Sequence, residues 1–187
     1  MKNKAVWIVL AVVVVIGFLF MGKYNSLVNA EEDVQNKWAQ VENQLKRRAD
    51  LIPNLVETVK GYAKHEQEAI KAVTDARARL GGAATPQEAA DANNELNGAL
   101  SRLLVITENY PDLKANENFR QLSDELAGTE NRLGVARKDY NDEVTRFNKT
   151  IRQFPGSIMA GILGFEKKPY FEVSESEREV PKVNFGT

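Results

Sequence analysis

An all-α architecture is predicted for this chain by three observations. Apolar residues recur at sevens from Leu27 to Phe154, the spacing of one helix face. The composition after residue 22 is rich in Ala, Leu, Glu, Lys, Gln and Asn and carries few β-branched runs. Ahead of both, Ala5 to Met21 form seventeen consecutive uncharged and almost wholly apolar positions, flanked by Lys2, Lys4 and Lys23. The expected molecule is an N-terminal transmembrane helix followed by an elongated antiparallel up-down helical bundle. It would have three long helices, or four pieces if the first is broken at Pro53.

The apolar run spans about 26 Å as a helix, enough for a hydrocarbon core near 30 Å if its ends snorkel. Trp7 and Tyr24 stand where interfacial aromatics belong. Val28-Asn29-Ala30 has the small residues of a signal-peptidase site. The length of the run and the polar stretch between favour an uncleaved anchor. Lys2 and Lys4 nearly balance Lys23 and Lys37, so orientation rests on a narrow margin. The expectation is a single-pass protein of the bacterial inner membrane, N-terminus cytoplasmic and C-terminal domain outside.

From Leu27 two registers define the first long helix. Leu27, Val34, Val41, Leu55, Tyr62 and Ala69 form one; Trp38, Leu45, Ile52, Val59, Val73 and Leu80 form the other. Glu31, Arg48 and Glu66 are polar exceptions within this stripe. Pro53 lacks a backbone donor, yet the apolar phase crosses it intact, which predicts a kink and not a reversal. Gly81-Gly82 ends the helix, and Thr85-Pro86-Gln87-Glu88 opens the next with a capping hydroxyl, a first-turn proline and a Glu three residues on. Leu96, Leu100, Leu103, Leu104 and Ile106 follow, until Tyr110-Pro111-Asp112 interrupts the pattern and predicts a second reversal. The third helix carries Phe119, Leu126, Leu133, Tyr140, Phe147 and Phe154 at sevens, with Leu122, Ala136, Val144 and Ile151 between, and stops at Pro155-Gly156. The organisation is therefore read as tail and anchor over 1–24, bundle over 25–156, a short apolar segment over 157–173 that packs on the bundle or a neighbour, and a weakly ordered tail over 174–187.

Charge and composition exclude several functions. Beyond Gly22 there are 23 Lys or Arg against 26 Asp or Glu, a net of −3, so no basic stripe invites nucleic acid. With no cysteine there is no thiolate nucleophile, disulfide, zinc knuckle or lipoprotein acylation site. His65-Glu66 falls short of a zinc-protease motif because position 69 is Ala, and a single His cannot furnish a ferritin-type di-iron site. No serine elbow is present. His65 is read as a partly exposed helical residue, and neither catalysis, metal nor cofactor is expected.

Lys46-Arg47-Arg48 is the densest basic run, but on a continuous helix Lys46 would lie about 36 Å beyond Gly22, several Debye lengths from its own bilayer. It reads as a solvated face, with Arg48 pairing to a carboxylate, or as a contact for a partner. Pro53 frees carbonyls near residue 49, which together with Asn54, Glu57 and Lys60 could form a docking notch. The candidate interaction surface comprises Arg47, Arg48, Asn54, Glu57, Lys60, Ile158, Leu163 and Phe165.

The stretch from Asp50 through Leu51-Ile52-Pro53-Asn54 to Lys60-Gly61-Tyr62-Ala63, followed by His65-Glu66, closely resembles the LemA family of bacterial membrane proteins. Tyr24-Asn25 with Leu27-Val28, Tyr110-Pro111 with Leu113-Lys114-Ala115, Thr129-Glu130-Asn131, Ala136-Arg137 with Tyr140-Asn141, and Phe154-Pro155 extend the likeness over residues 1–171. This resemblance implies a short N-terminal tail, one membrane helix and a helical bundle. It implies no enzymatic activity and no catalytic residues. A relative among magnetosome membrane proteins suggests, by analogy, a role in organising membrane-bound structures.

Two functions follow. The first is a scaffold that meets the lipid bilayer through residues 5–21, associates as a homo-oligomer and organises or shapes the membrane. Leu51, Ile52, Leu55 and Val56 suggest it, since they offer apolar surface on adjoining faces, more than one neighbour would cover. The second is a monomeric tethered adaptor that presents bundle and tail to an unidentified protein partner, such as a membrane protease or signalling protein. Neither calls for nucleic acid or a small-molecule substrate.

Overall fold

The structure, a computed structural model, describes residues 2–172, and the expected tail over 174–187 lies outside the described residues. Within them all regular structure is helical: α1 Lys2–Tyr62, α2 Gln67–Gly82, α3 Pro86–Thr107, α4 Pro111–Ala115, α5 Glu117–Thr150 and α6 Gly156–Leu163. The chain divides into two compact units, one of Met1–Ala39 with Asp139–Lys168, the other of Gln40–Lys138 with Pro169–Thr187. Two of the three divisions, at 39/40 and 138/139, fall inside helices, since α1 and α5 contribute to each unit, and the third, at 168/169, follows α6.

The second unit holds four long helical stretches. α1 runs through Pro53 without interruption. The reversal comes later, at 63–66, and sends α2 back along α1, so that Arg77 reaches Ala49. The fourth helical piece therefore exists, but its boundary is this turn and not Pro53. Thr85 caps α3 as expected: its Oγ1 accepts from the Glu88 backbone N–H at 3.2 Å, and the Glu88 carboxylate accepts from the Ala84 N–H at 2.8 Å. Asn116 caps α5 by accepting from the Phe119 N–H at 3.0 Å. α5 runs antiparallel to α1, because Tyr62 meets Asn116 while Arg48 meets Glu130.

The stripe is the core. Val41, Leu45, Ile52, Leu55 and Val59 of α1 are buried with Val73 and Leu80 of α2, Leu96, Leu100 and Leu103 of α3, and Leu126 and Leu133 of α5. Val56 is buried and Leu51 half-buried, so the wide face expected to remain for other copies is covered largely within the chain. Four helices leave less apolar surface over than three would. Tyr62, Leu104 and Phe154, counted in the stripe from spacing, are instead exposed. Tyr62 is the last residue of α1, and Phe154 lies beyond the end of α5, where helical periodicity no longer governs direction.

In the first unit, Leu27 and Val34 of α1, Tyr140, Val144 and Phe147 of α5, and Ile151 just after α5 are buried. Trp38 packs on Tyr140 with ring centroids 5.3 Å apart, and Lys37 bridges Asp139 at 3.2 Å. Burial pushes the Tyr140 hydroxyl up to about 12. The N-terminal part of α1 is different. Its described apolar side chains, Trp7 and Phe18 among them, are exposed, and α1 is the one described helix long and apolar enough to cross a membrane.

Candidate functional site

Each polar exception in the apolar stripe of α1 and its continuation has a tertiary partner. Arg48 occupies the register position between Val41 and Leu55, and only 4% of it is exposed. One terminal nitrogen donates to Asn93 Oδ1 at 2.7 Å and also to the Glu130 carboxylate; the other donates to Asn97 Oδ1 at 2.5 Å. Asn93 and Asn97 lie one helical turn apart on α3, so a guanidinium fork held by α1 ties α3 to α5. Burial pulls the Arg48 pKa down and neighbouring Arg137 does the same, while Glu130 opposes both. Guanidinium deprotonation lies far above neutral pH, so the group stays charged and acts as a fixed lock, not a proton carrier.

The second exception, Glu66, sits at the N-cap position of α2, and its carboxylate accepts from the Tyr110 hydroxyl at 2.9 Å. That hydrogen bond raises the Tyr110 pKa. Nearby, Tyr62 Oη accepts from Asn116 Nδ2 at 3.0 Å, so the 63–66 turn is fastened to the α3–α4–α5 connection. His65 lies exposed in this turn, not within a helix as expected. Glu31, the third exception, pairs with Lys168 in the first unit.

Pro53 also resolves internally. Its missing N–H leaves the Ala49 carbonyl without the usual i+4 partner, and Arg77 Nε of α2 donates to that oxygen at 2.8 Å. The expected docking notch is thus closed at its carbonyl. Asn54, Glu57 and Lys60 are exposed on α1; the Asn54 carbonyl accepts from Thr58 Oγ1 at 2.8 Å, and Lys60 pairs with Glu57 at 2.7 Å. Arg47 is solvated and bridges Glu125 at 2.7 Å, an exposed pair worth about 0–1 kcal/mol.

Ile158, Leu163 and Phe165 belong to the other compact unit. Gly156 starts α6 against α5: a Cβ there would lie 2.2 Å from the Thr150 carbonyl oxygen, which only glycine permits. Gly164, at φ +76°, ends it with a left-handed cap. Phe165 then meets Phe147 edge-on at 6.4 Å, and the Asn148 amide clamps the Lys168 backbone, with both hydrogen bonds at 2.9 Å. A groove of about 230 Å³ lies between α1 and α6, lined by Phe20, Met21, Tyr24, Met159, Ile162 and Leu163.

Asn93, Asn97, Asn148 and Lys168 were not singled out from sequence. Asn93 carried a signal, since it falls on the face of α3 that also holds Leu96, Leu100 and Leu103, where a polar residue needs a partner. Among the described residues no three His, Cys, Asp or Glu side chains are grouped to hold a metal ion.

The LemA family model matches residues 37–185. This chain belongs to the LemA family. It is 28% identical over 165 residues to the protein LemA of Metamycoplasma hominis, covering 86% of this chain and 74% of that one. It is 27% identical over 190 residues to the magnetosome protein MamQ 2 of Paramagnetospirillum magneticum, covering 88% and 70%. To the magnetosome protein MamQ of Magnetospirillum gryphiswaldense it is 26% identical, covering 87% and 69%. Several of the residues that carry the LemA likeness fall at joints of this fold: Pro53 at the Arg77 contact, His65-Glu66 and Tyr110-Pro111 at the fastened turn, and Glu130 at the Arg48 lock.

Proposed function

We propose that the protein is a non-catalytic scaffold, anchored by one helix in the bacterial inner membrane with its N-terminus cytoplasmic and its C-terminal domain outside. Copies associate there and organise or shape the membrane. The observation that carries this reading is that α1 passes from the apolar span into the bundle core without a break, while the buried Arg48 cluster is engaged in joining helices. Several residues of the LemA resemblance, Pro53, Glu66, Tyr110 and Glu130, sit at those joints, as suits a protein that works through its fold. The magnetosome proteins to which the chain is similar are named for a cellular structure and not for a reaction.

With the Leu51 to Val56 face largely covered, the surface we assign to the contact between copies is Leu104 and Val105 of α3 and Val135 of α5, which are among the apolar side chains left exposed in the second unit. The same coverage favours a second reading, a monomeric adaptor whose finished bundle is offered to a protein partner. Complementation of a deletion strain at matched protein level tests the proposal. His65→Ala should complement, whereas Val105→Glu, on a residue 71% exposed, should fold yet fail. Failure of folded His65→Ala would reinstate catalysis, and success of Val105→Glu would remove the assembly surface.

A further inference from the structure

α6 is an eight-residue helix without a charged side chain. Gly156, Met159 and Ala160 face inward, but Ile158, Ile162 and Leu163 are 48, 70 and 46% exposed, and Phe154 just before them is 81% exposed. A short helix apolar on both sides of its axis has found only half of its cover. Its position identifies the rest. Met159, Ile162 and Leu163 line the groove with Phe20, Met21 and Tyr24, and Phe20-Met21 are the final two residues of the apolar run. With that run spanning the hydrocarbon core, any side chain that touches residues 20–24 lies at the boundary between acyl chains and headgroups.

The flanking charges suit the same depth. Lys149 and Arg152 precede the exposed apolar group, Lys167 follows it, and all three are exposed, as is Lys23 beside the end of the span. Between Arg152 and Lys167 the only acid is Glu166. Apolar side chains bordered by cations are what the interface of an anionic bilayer takes up.

We infer that α6, with Phe154, is a second membrane element: an interfacial helix whose Ile158, Ile162 and Leu163 side chains enter the leaflet that α1 leaves. This rests on the anchored part of the proposed function and holds whether or not copies associate. A second copy covering α6 is the alternative occupant. It is disfavoured because residues 20–24, on which α6 packs, are themselves at bilayer depth.

The absence of cysteine permits single-site nitroxide labelling of the full chain. Ile162→Cys, Val13→Cys in the span and Glu42→Cys on the exposed surface of α1 would each be placed in phosphatidylethanolamine–phosphatidylglycerol vesicles. Collision with oxygen, which partitions into lipid, is then compared with collision with a water-soluble nickel chelate. Position 162 should favour oxygen, with a ratio between those at 13 and 42. A water-like reading at 162 with a lipid-like reading at 13 overturns the inference alone. Shielding of 162 from both reagents also overturns it, because protein then covers the helix. Water-like readings at both 13 and 162 overturn the span together with it.

Discussion

Arg48 stands at a position where spacing calls for a leucine. A buried guanidinium is costly to desolvate, and here three hydrogen bonds to Asn93, Asn97 and Glu130 offset that cost while fixing how α1 meets α3 and α5. Any sliding of α1 by a turn would separate the fork from its acceptors. Replacing it with an apolar residue would continue the stripe but leave the wholly buried Asn93 amide without its partner and Glu130 without its cation. Arg48→Leu should therefore destabilise the protein by about 3 kcal/mol in denaturant unfolding. Arg48→Leu with Asn93→Leu should recover part of that loss, because the stranded amide is gone. A neutral single mutant would mean that the lock contributes nothing. This centre is half legible: the apolar spacing makes Arg48 a polar intrusion that calls for a carboxylate, and Glu130 supplies one. Its amide partners are not, since sequence spacing does not say which faces of separate helices will meet.

At the scale of the element, Pro53 and Arg77 form one unit of structure. Proline removes the donor that Ala49 would have used, and an arginine from the neighbouring helix replaces it. The two residues should therefore be coupled. Arg77→Ala should cost about 1 kcal/mol in the native background, where it strands a carbonyl. In the Pro53→Ala background it should cost little, since the restored backbone N–H takes over that carbonyl. A double-mutant cycle followed by thermal unfolding reads this directly, and strict additivity would contradict it. The absence of a reversal at Pro53 is readable because the apolar phase crosses it, and α1 continues through the proline. The true reversal at 63–66 is not readable. Four turn residues replace almost one helical turn of 3.6, so Val59, Val73 and Leu80 stay in register although the chain has doubled back. The reversals at Gly81-Gly82 and Tyr110-Pro111 carried glycine or proline; this one has no proline, and its lone Gly61 falls before the turn.

Across the whole molecule, the fold class, a helix long and apolar enough to cross a membrane, and the family are all legible in the residues, because each depends on periodicity, run length or local motif. Function is less legible, and the structure changes its grounds. The apolar width that suggests assembly is largely consumed by a helix hidden in the first one, and Leu104, Val105 and Val135 are among the described apolar side chains that the second unit leaves exposed. The central claim, that the anchored protein works by associating with itself, is tested most directly by the protein mass of the full chain in mild detergent, measured by light scattering during size-exclusion chromatography. Self-association gives a homogeneous species of several chains that Val105→Glu reduces to one chain without loss of helicity. A wild-type protein that runs with the mass of a single chain would contradict it and leave the tethered adaptor.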